Sequence, residues 1–394
     1  MSGCAVTIAL LLATPEAAVG RASAPAAAIR RLDGSTIAPA EIDTTVLRLM
    51  KAAKVPGLGL AVFNGGKVVY EKAYGVRDVK TGRPLTIDSV TTAASLSKTA
   101  FGVLVLQLVS EGKIELDKPV AQTLPKPLPE YPDYKDLAGD ERWKLITPRM
   151  LLSHTAGFPN LRRFTDDGKL RIHFAPGSRY AYSGEGIGLL QLLVEEVVKR
   201  PLGELMDERI FRPLGLARTS MTWQPAFESD FASGHDEGEE PLGPQRRKRA
   251  DAIGSMQTSL HDFAAFWQAL AQASTSTVKI LSPKAKALMV APQIAIHSRR
   301  QFPTLLNEPG DANRKIELSY GLGVGLYSTP LGKAYFKEGH TDGFQNYAVM
   351  FDNGIGLVLM TNSSNGERTF PELIETVLGN PYTPNEWEGY VRRP

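Results

Sequence analysis

The chain has 394 residues, of which 43% are hydrophobic, and its formal net charge at neutral pH is +3. A chain of this length and composition can bury a large core, and so small a charge argues against a nucleic-acid partner. The single cysteine, Cys4, excludes an internal disulfide and a thiolate metal site.

The first 28 residues have the composition of an export signal or of a disordered alanine-rich tail. The apolar run 5–13 is too short to span a bilayer, and small residues such as those at 22–24 follow it, as at a signal-peptidase site. The basic residues that usually precede such a run are missing. We expect export to the periplasm or the medium, or a cytoplasmic protein if this segment is not a signal. No other segment has the length and apolarity of a stable membrane span.

Patterns typical of β-strands occur at both ends of the chain. The runs 57–63 and 67–74 flank the turn Asn64-Gly65-Gly66 and predict a β-hairpin. The pattern between the two ends is mostly helical, and the predicted helices are 99–109, 148–153, 186–199, 202–210 and 260–271. Strands are then predicted at 321–328, 334–338, 346–352 and 355–361, followed by a closing helix at 370–378.

This arrangement predicts an α+β fold, in which one antiparallel sheet is built from both chain ends and flanked by helices. A mostly helical lobe is inserted into it. We expect one domain over residues 36–382, with a sheet lobe at about 40–95 and 318–382 and a helical lobe at about 96–317. Long loops at about 125–142, 225–252 and 297–315 are candidates to shape a binding site.

Ser95 and Lys98 stand where a polar segment gives way to the apolar run 101–109. On a helix, residues three apart share a face, and a desolvated lysine there could take the proton of the serine hydroxyl. The pattern Ser-x-x-Lys also occurs at 110–113, which runs through a glycine, and at 276–279, which lies in a loop-like segment. The alternative is that Ser95 only starts a helix and Lys98 is solvated.

Other hydrolase designs are not supported by the sequence. There is no G-x-S-x-G motif, which argues against an α/β-hydrolase, and no H-E-x-x-H motif. The six histidines are scattered, so a zinc site is not expected and we expect no cofactor.

Two further segments bear on the chemistry of Ser95. The segment 180–184, Tyr-Ala-Tyr-Ser-Gly, precedes an apolar helix, and 339–343, Gly-His-Thr-Asp-Gly, lies between two predicted strands. The alternative interpretation of 180–184 is a turn with aromatic packing, and that of 339–343 is an ordinary turn between strands. A strand edge at the second could also aim a backbone N–H at a developing oxyanion.

Taken in order, these segments resemble the serine β-lactamase and penicillin-binding-protein superfamily, in particular its class C-like, DD-peptidase and esterase branch. The resemblance covers about residues 40–380 and includes the segment 151–158, Leu-Leu-Ser-His-Thr-Ala-Gly-Phe, and the segment 111–117, Glu-Gly-Lys-Ile-Glu-Leu-Asp. It implies the same fold and an acyl-enzyme mechanism.

The resemblance implies that Ser95 is the acylated nucleophile and Lys98 its proton acceptor. Tyr182 falls on the family's tyrosine, which moves protons to the leaving group and activates the deacylating water. The backbone N–H groups of Ser95 and Gly343 would form the oxyanion hole. His154, in the segment 151–158, is expected to be a structural hydrogen-bonding residue.

Two departures from the family pattern concern substrate binding. Many relatives have asparagine where this chain has Gly184. The third motif, usually Lys-Thr-Gly, is assigned to His340-Thr341-Asp342. A histidine near its usual pKa of about 6.5 is mostly neutral at pH 7, and Asp342 adds a negative charge, so both should weaken binding of a substrate carboxylate.

The leading hypothesis is therefore a serine hydrolase that acts on a small-molecule or peptide ester or amide, with an esterase or peptidase-like preference. The alternatives are a class C-type β-lactamase or DD-peptidase proper, and a sensor that binds penicillin or cell-wall fragments without turnover. The natural substrate and the oligomeric state are left open.

Overall fold

The computed structural model describes residues 1, 28–273 and 278–390. Cys4, the apolar run 5–13 and Ser276 lie outside the described residues. The interpretation of the first segment therefore stays a prediction. Among the described residues, no helix combines the length and the apolar character needed to cross a bilayer.

The long strands come from both ends of the chain, as predicted, and short strands occur between them. In chain order they are β1 Ile29–Arg30, β2 Thr36–Ile37, β3 Gly57–Asn64, β4 Lys67–Asp78, β5 Arg83–Pro84, β6 Thr91–Thr92, β7 Gly234–His235, β8 Pro241–Gly243, β9 Gln257–Thr258, β10 Ile294–Ala295, β11 Ser319–Tyr320, β12 Gly325–Thr329, β13 Gly332–Thr341, β14 Phe344–Phe351 and β15 Gly356–Thr361. Nine of them form one antiparallel sheet in the order β10-β11-β12-β13-β14-β15-β3-β4-β5. The two ends of the chain meet where β15 pairs with β3, with Leu359 opposite Leu60.

Helices cover both faces of this sheet. They are α1 Pro39–Ala53, α2 Ser97–Ser110, α3 Pro148–Leu152, α4 Gly184–Val198, α5 Leu202–Met206, α6 Leu260–Ala271, α7 Pro283–Met289, α8 Ala312–Lys315, α9 Phe370–Leu378 and α10 Asn385–Glu388. Successive strand residues point to opposite faces, so β3 sends Ala61 and Phe63 into the core shared with α2 and α6. Leu60 and Val62 enter the core shared with α1 and α9. The result is the predicted α+β architecture.

The segment 321–328, predicted as one strand, is a strand only from Gly325 onward, and residues 321–324 form the turn between β11 and β12. Gly321 donates its N–H to the carbonyl of Val324 (2.9 Å), and Gly323 has a positive φ of 88°. The carbonyl of Gly323 accepts a hydrogen bond from the Thr99 hydroxyl on α2 (2.9 Å). The turn therefore fixes the start of α2 against the sheet. The structure also differs from the prediction at the edge strand β10, because residues 294–295 were expected in the helical lobe.

Candidate active site

Ser95 lies in a tight 3-10 turn, Ala94–Leu96, that leads directly into α2. Ala94 has a φ of 48°, a left-handed conformation that a side chain disfavours. Neighbouring backbone holds it there: Ala93 donates its N–H to the Met256 carbonyl (2.9 Å), and Met256 donates its own to the Ser97 hydroxyl (3.1 Å). The Ser95 side chain is thus fixed at the surface of the core, where it stays partly exposed.

Lys98 is one helical turn from Ser95 and is 1% exposed. Its Nζ lies 2.8 Å from the Ser95 Oγ and donates to the Ile253 carbonyl (2.6 Å). Burial lowers the pKa of the Lys98 amine because it removes the water that stabilises the charged form. Tyr182 opposes this effect and raises the pKa, but burial, to which the Lys337 cation adds, outweighs Tyr182, so the pKa of Lys98 is lowered. The amine is therefore placed, and electronically prepared, to take the Ser95 proton.

Tyr182 precedes α4 and lies between two lysines. The Nζ atoms of Lys98 and Lys337 are 5.0 Å and 4.9 Å from the centre of its ring, and the Lys337 Nζ is 3.4 Å from its hydroxyl. Burial alone would raise the pKa of the phenol, but the charges of Lys337 and Lys98 outweigh burial, so the pKa is lowered. A buried phenol that loses its proton more easily than usual is suited to proton transfer.

His154 positions this tyrosine. Its ring packs 4.5 Å from that of Tyr182, and its Nδ1 accepts the N–H of Ser183 (3.2 Å), the N-cap residue of α4. Burial, together with the charges of Lys98 and Lys337, holds the pKa of His154 well below its usual value. The ring is therefore neutral, and its contacts are those of a structural residue.

The sequence analysis missed Lys337 and Glu338, which complete this cluster. The Lys337 ammonium, fully buried, pairs with the Glu338 carboxylate (2.7 Å) and donates to the Glu338 carbonyl (2.9 Å). The amide of Gln301 donates to the same carboxylate (2.9 Å). Burial alone would lower the pKa of Lys337, but the negative charge of Glu338 outweighs it and raises that pKa. Burial would raise the pKa of Glu338, yet Lys337 lowers it. Both groups are therefore charged.

This pair revises the assignment of the third motif. The strand approaches the Ser95 turn at Gly339, where an added Cβ would lie 2.5 Å from the Ala93 carbonyl oxygen and 3.0 Å from the Leu96 nitrogen. Only glycine fits that approach. Lys337-Glu338-Gly339 keeps the Lys-x-Gly spacing of the family motif, three residues before His340, so this spacing could have identified it from the sequence.

The prediction that Gly343 supplies an oxyanion donor is wrong for this structure. Its N–H donates to the Ser364 hydroxyl (2.9 Å), and an added Cβ would lie 2.7 Å from the Gly234 Cα.

The register of β13 against β14 provides another oxyanion donor. In an antiparallel pair, residues whose backbone groups bond the partner strand alternate with residues whose backbone groups point away from it. Gln345, opposite His340, points its carbonyl away from β13, where it accepts a hydrogen bond from the Thr361 hydroxyl of β15 (2.8 Å). The N–H of His340 therefore points away from β14, toward the edge of β13 that faces the Ser95 turn.

The other residues predicted to contact the substrate differ in how far they are exposed. The His340 ring, with 26% of its side chain exposed, hydrogen-bonds through Nε2 to the Tyr390 hydroxyl (2.8 Å), and burial lowers its pKa to about 4. Thr341 pairs with Phe344 beside the hairpin turn, and Asp342 is exposed in that turn. Gly184 is buried, and an added Cβ would lie 2.9 Å from the Asn160 carbonyl oxygen, so it offers no surface to a substrate.

The second Ser-x-x-Lys copy does not form a comparable pair. The Ser110 hydroxyl donates to the Leu106 carbonyl within α2 (2.8 Å), and Lys113 pairs with the Glu111 carboxylate (2.8 Å). Within residues 28–273 and 278–390, no group of three or more His, Cys, Asp or Glu side chains is placed to hold a metal ion.

Comparisons with known proteins identify what this arrangement is similar to. The family model described as Beta-lactamase matches residues 42–378. The chain is 28% identical to a Beta-lactamase of Escherichia coli (strain K12) over 355 residues, 82% of this chain and 88% of that protein. It is 30% identical to Esterase EstB of Burkholderia gladioli over 211 residues, 47% of this chain and 52% of that protein.

A solved structure described as D-alanine carboxypeptidase AmpC from Burkholderia cenocepacia has the same fold. It superposes with a TM-score of 0.68 at 21% identity, and the match covers 86% of this chain and 99% of that one.

The lowered pKa of Lys98 predicts how the reactivity of Ser95 depends on pH. Only the unprotonated amine can accept a proton, so phosphonylation of Ser95 by a fluorophosphonate should rise with pH and level off below the ordinary lysine value of 10.5. Arginine keeps the charge but does not lose its proton, so Lys98→Arg should slow labelling by about 100-fold or more. Labelling rates followed by mass spectrometry between pH 5 and pH 10 test this. An unchanged rate and pH profile in Lys98→Arg would contradict the role of Lys98 as base.

Proposed function

Because the chain belongs to the beta-lactamase family of serine hydrolases, we propose that it hydrolyses esters or amides through an acyl-enzyme on Ser95. The observation that carries this proposal is the 2.8 Å contact between the Ser95 hydroxyl and the buried amine of Lys98. Within that chemistry we propose an esterase or peptidase-like preference, rather than efficient hydrolysis of β-lactams.

In the proposed acylation step, the Lys98 amine takes the hydroxyl proton while the Ser95 Oγ bonds to the substrate carbonyl carbon. The carbonyl oxygen becomes an oxyanion, which the N–H groups of Ser95 and His340 would stabilise. Collapse of the intermediate expels the alcohol or amine, which takes a proton from the Tyr182 hydroxyl. The ammonium of Lys337, 3.4 Å from that hydroxyl, stabilises the phenolate that remains. The proton on Lys98 then returns to Tyr182.

Deacylation uses the same groups in reverse. The Lys98 amine takes the proton of the Tyr182 hydroxyl, and the phenolate so formed accepts a proton from water, whose oxygen bonds to the acyl carbon. Collapse of this intermediate breaks the bond to the Ser95 Oγ, which takes the proton from Lys98, and the acid product leaves. The lowered pKa of Tyr182 supports this role, because a base is most useful when its pKa lies near the working pH.

The charge balance around Lys337 supports a preference for substrates without a carboxylate. The cation is paired at 2.7 Å with Glu338, so the pair carries no net charge, and His340 is neutral at pH 7 because its pKa is about 4. A substrate carboxylate would lose its hydration at this site without meeting an uncompensated positive charge. A neutral ester has no such cost.

The wall of the site supports an apolar substituent on the substrate. Phe302, 44% exposed, packs edge-on against Tyr182 with the ring centres 5.8 Å apart. An adjoining cavity of about 580 Å³ is lined by Phe302, Trp387 and Tyr390, and Tyr390 contacts His340. Aromatic walls of this kind favour an aliphatic or aromatic group.

The proposal predicts that Ser95→Ala abolishes hydrolysis of p-nitrophenyl butyrate and leaves the melting temperature nearly unchanged, because Ser95 is partly exposed. The matched control is Ser110→Ala, at the other described Ser-x-x-Lys copy, which should keep wild-type activity. Retained turnover in Ser95→Ala would contradict the mechanism. A wild-type adduct of Ser95 with penicillin that persists, without ester turnover, would favour the sensor alternative.

Glu338→Gln, which removes the negative charge and keeps the side-chain shape, should shift the preference toward substrates that carry a carboxylate. The uncompensated Lys337 cation should then bind a carboxylate, so the ratio of kcat/KM for nitrocefin to that for p-nitrophenyl butyrate should rise about tenfold or more. Asp342→Asn is the control, since that carboxylate is exposed and screened by water, and should change the ratio less than about twofold. Equal ratios in Glu338→Gln and wild type would contradict this role of Glu338. Fast nitrocefin turnover by the wild type without esterase activity would overturn the proposed preference.

A further inference from the structure

A separate cavity of about 650 Å³ is lined by residues of α7 and of strands β12, β13 and β14. Ser95, Lys98, Tyr182 and Lys337 are not among its lining residues. Its volume is within the range of small-molecule sites, which are typically about 300–1,000 Å³ and lined mostly by apolar side chains. Val290, Leu326 and Met350 supply part of such a lining here.

Lys286 on α7 contributes an amine that the proposed hydrolysis does not use. Its Nζ is buried and forms no hydrogen bond with any described residue. The nitrogen lies 3.5 Å from the ring centre of Tyr335, on the adjacent strand β13. Burial holds the pKa of Lys286 well below the usual lysine value. An amine taken out of water in this way, with only an aromatic face as neighbour, is costly to the folded protein.

Tyr335 supplies a second unsatisfied group. Its hydroxyl is buried and also lacks a hydrogen-bond partner among the described residues. Because Lys286 lies over the same ring, the two groups are close enough to reach one acceptor. Buried polar groups in folded proteins are nearly always paired, and exceptions call for a specific explanation such as an ion or a ligand. A ligand that accepts two hydrogen bonds would satisfy both.

The charges around the cavity point to the same ligand chemistry. Arg314, Glu317, Lys333 and Asp352 also line it, but all four are exposed and their formal charges cancel. His297 is a further exposed ionisable residue of the rim. Lys286 is the group in the lining with a buried nitrogen that can gain a positive charge. A single anionic acceptor attached to an apolar body matches one basic group in an apolar chamber.

We propose that this cavity binds an aliphatic monocarboxylic acid, whose carboxylate accepts hydrogen bonds from Lys286 and Tyr335 and whose chain packs on Val290, Leu326 and Met350. Binding converts two unsatisfied donors into a charge-assisted pair while the chain is removed from water. The site does not depend on Ser95 or on the hydrolytic activity.

The test is titration calorimetry of the full chain with sodium decanoate, below its micelle-forming concentration, with decanol as the neutral probe of the same length. We expect saturable, one-site decanoate binding, weaker binding of decanol, and the same decanoate affinity in Ser95→Ala. Lys286→Met should weaken decanoate binding about tenfold or more, because a charge-assisted hydrogen bond is lost. Lys284→Met, at an exposed position of the same helix, should bind as the wild type does.

Ester hydrolysis and the melting temperature verify that the variants at Lys284, Lys286 and Tyr335 are folded, and the melting temperature alone verifies this for Ser95→Ala. Tyr335→Phe keeps the ring and removes only the hydroxyl, so it provides an independent variant, with a severalfold loss of affinity expected. The proposal is overturned if the wild type does not bind decanoate, if decanol binds as tightly as decanoate, or if neither Lys286→Met nor Tyr335→Phe weakens binding. None of these results affects the role of Ser95, which is read from ester hydrolysis alone.

Discussion

The structure depends on keeping the amine of Lys98 out of water and within 2.8 Å of the Ser95 hydroxyl. Burial removes the water that would stabilise the charged amine, so the pKa of Lys98 falls and the amine gives up its proton more readily than a solvated lysine does. The turn 94–96, the Ile253 carbonyl and the ring of Tyr182 together enclose it. Glycine at 323 and 339 lets a turn and a strand come close enough to complete that enclosure.

The same constraint explains the charges around the site. Two lysines beside one buried phenol would be strongly unfavourable if both were charged and nothing balanced them. Glu338 balances Lys337, while burial and Lys337 both disfavour the charged form of Lys98. Tyr182 then lies in a positive field that lowers its pKa. The Glu338 carboxylate thus keeps Lys337 charged next to Tyr182, and in the proposed function it also removes the attraction of Lys337 for an anionic substrate.

Much of the fold could be predicted because its signals are local. The hairpin of β3 and β4 has a glycine-rich turn between two runs typical of strands, and α6 and α9 have apolar stripes at helical spacing. Ser95, Lys98 and Tyr182 were found because each lies in a short recognisable segment. The turn at 321–324, where a strand was predicted, depends on a contact of Gly323 with α2, which local propensity does not encode. Helix α1, which the sequence analysis did not identify, mixes polar and apolar residues and is stabilised by packing on α9. Lys337 and Glu338 were missed because the motif was placed three residues too late, although the Lys-x-Gly spacing at 337–339 is present in the sequence. The close approach of Gly339 to the Ser95 turn shows the correct position.

The central claim, that Lys98 activates Ser95 and that Ser95 and His340 form the oxyanion hole, is tested most directly by a crystal structure of the protein after reaction with a p-nitrophenyl alkylphosphonate. The account predicts one phosphonyl group on the Ser95 Oγ, with its anionic oxygen within hydrogen-bond distance of the N–H groups of Ser95 and His340 and with Gly343 still bonded to Ser364. An adduct on another residue, or an anionic oxygen bound by the Gly343 N–H, would contradict it.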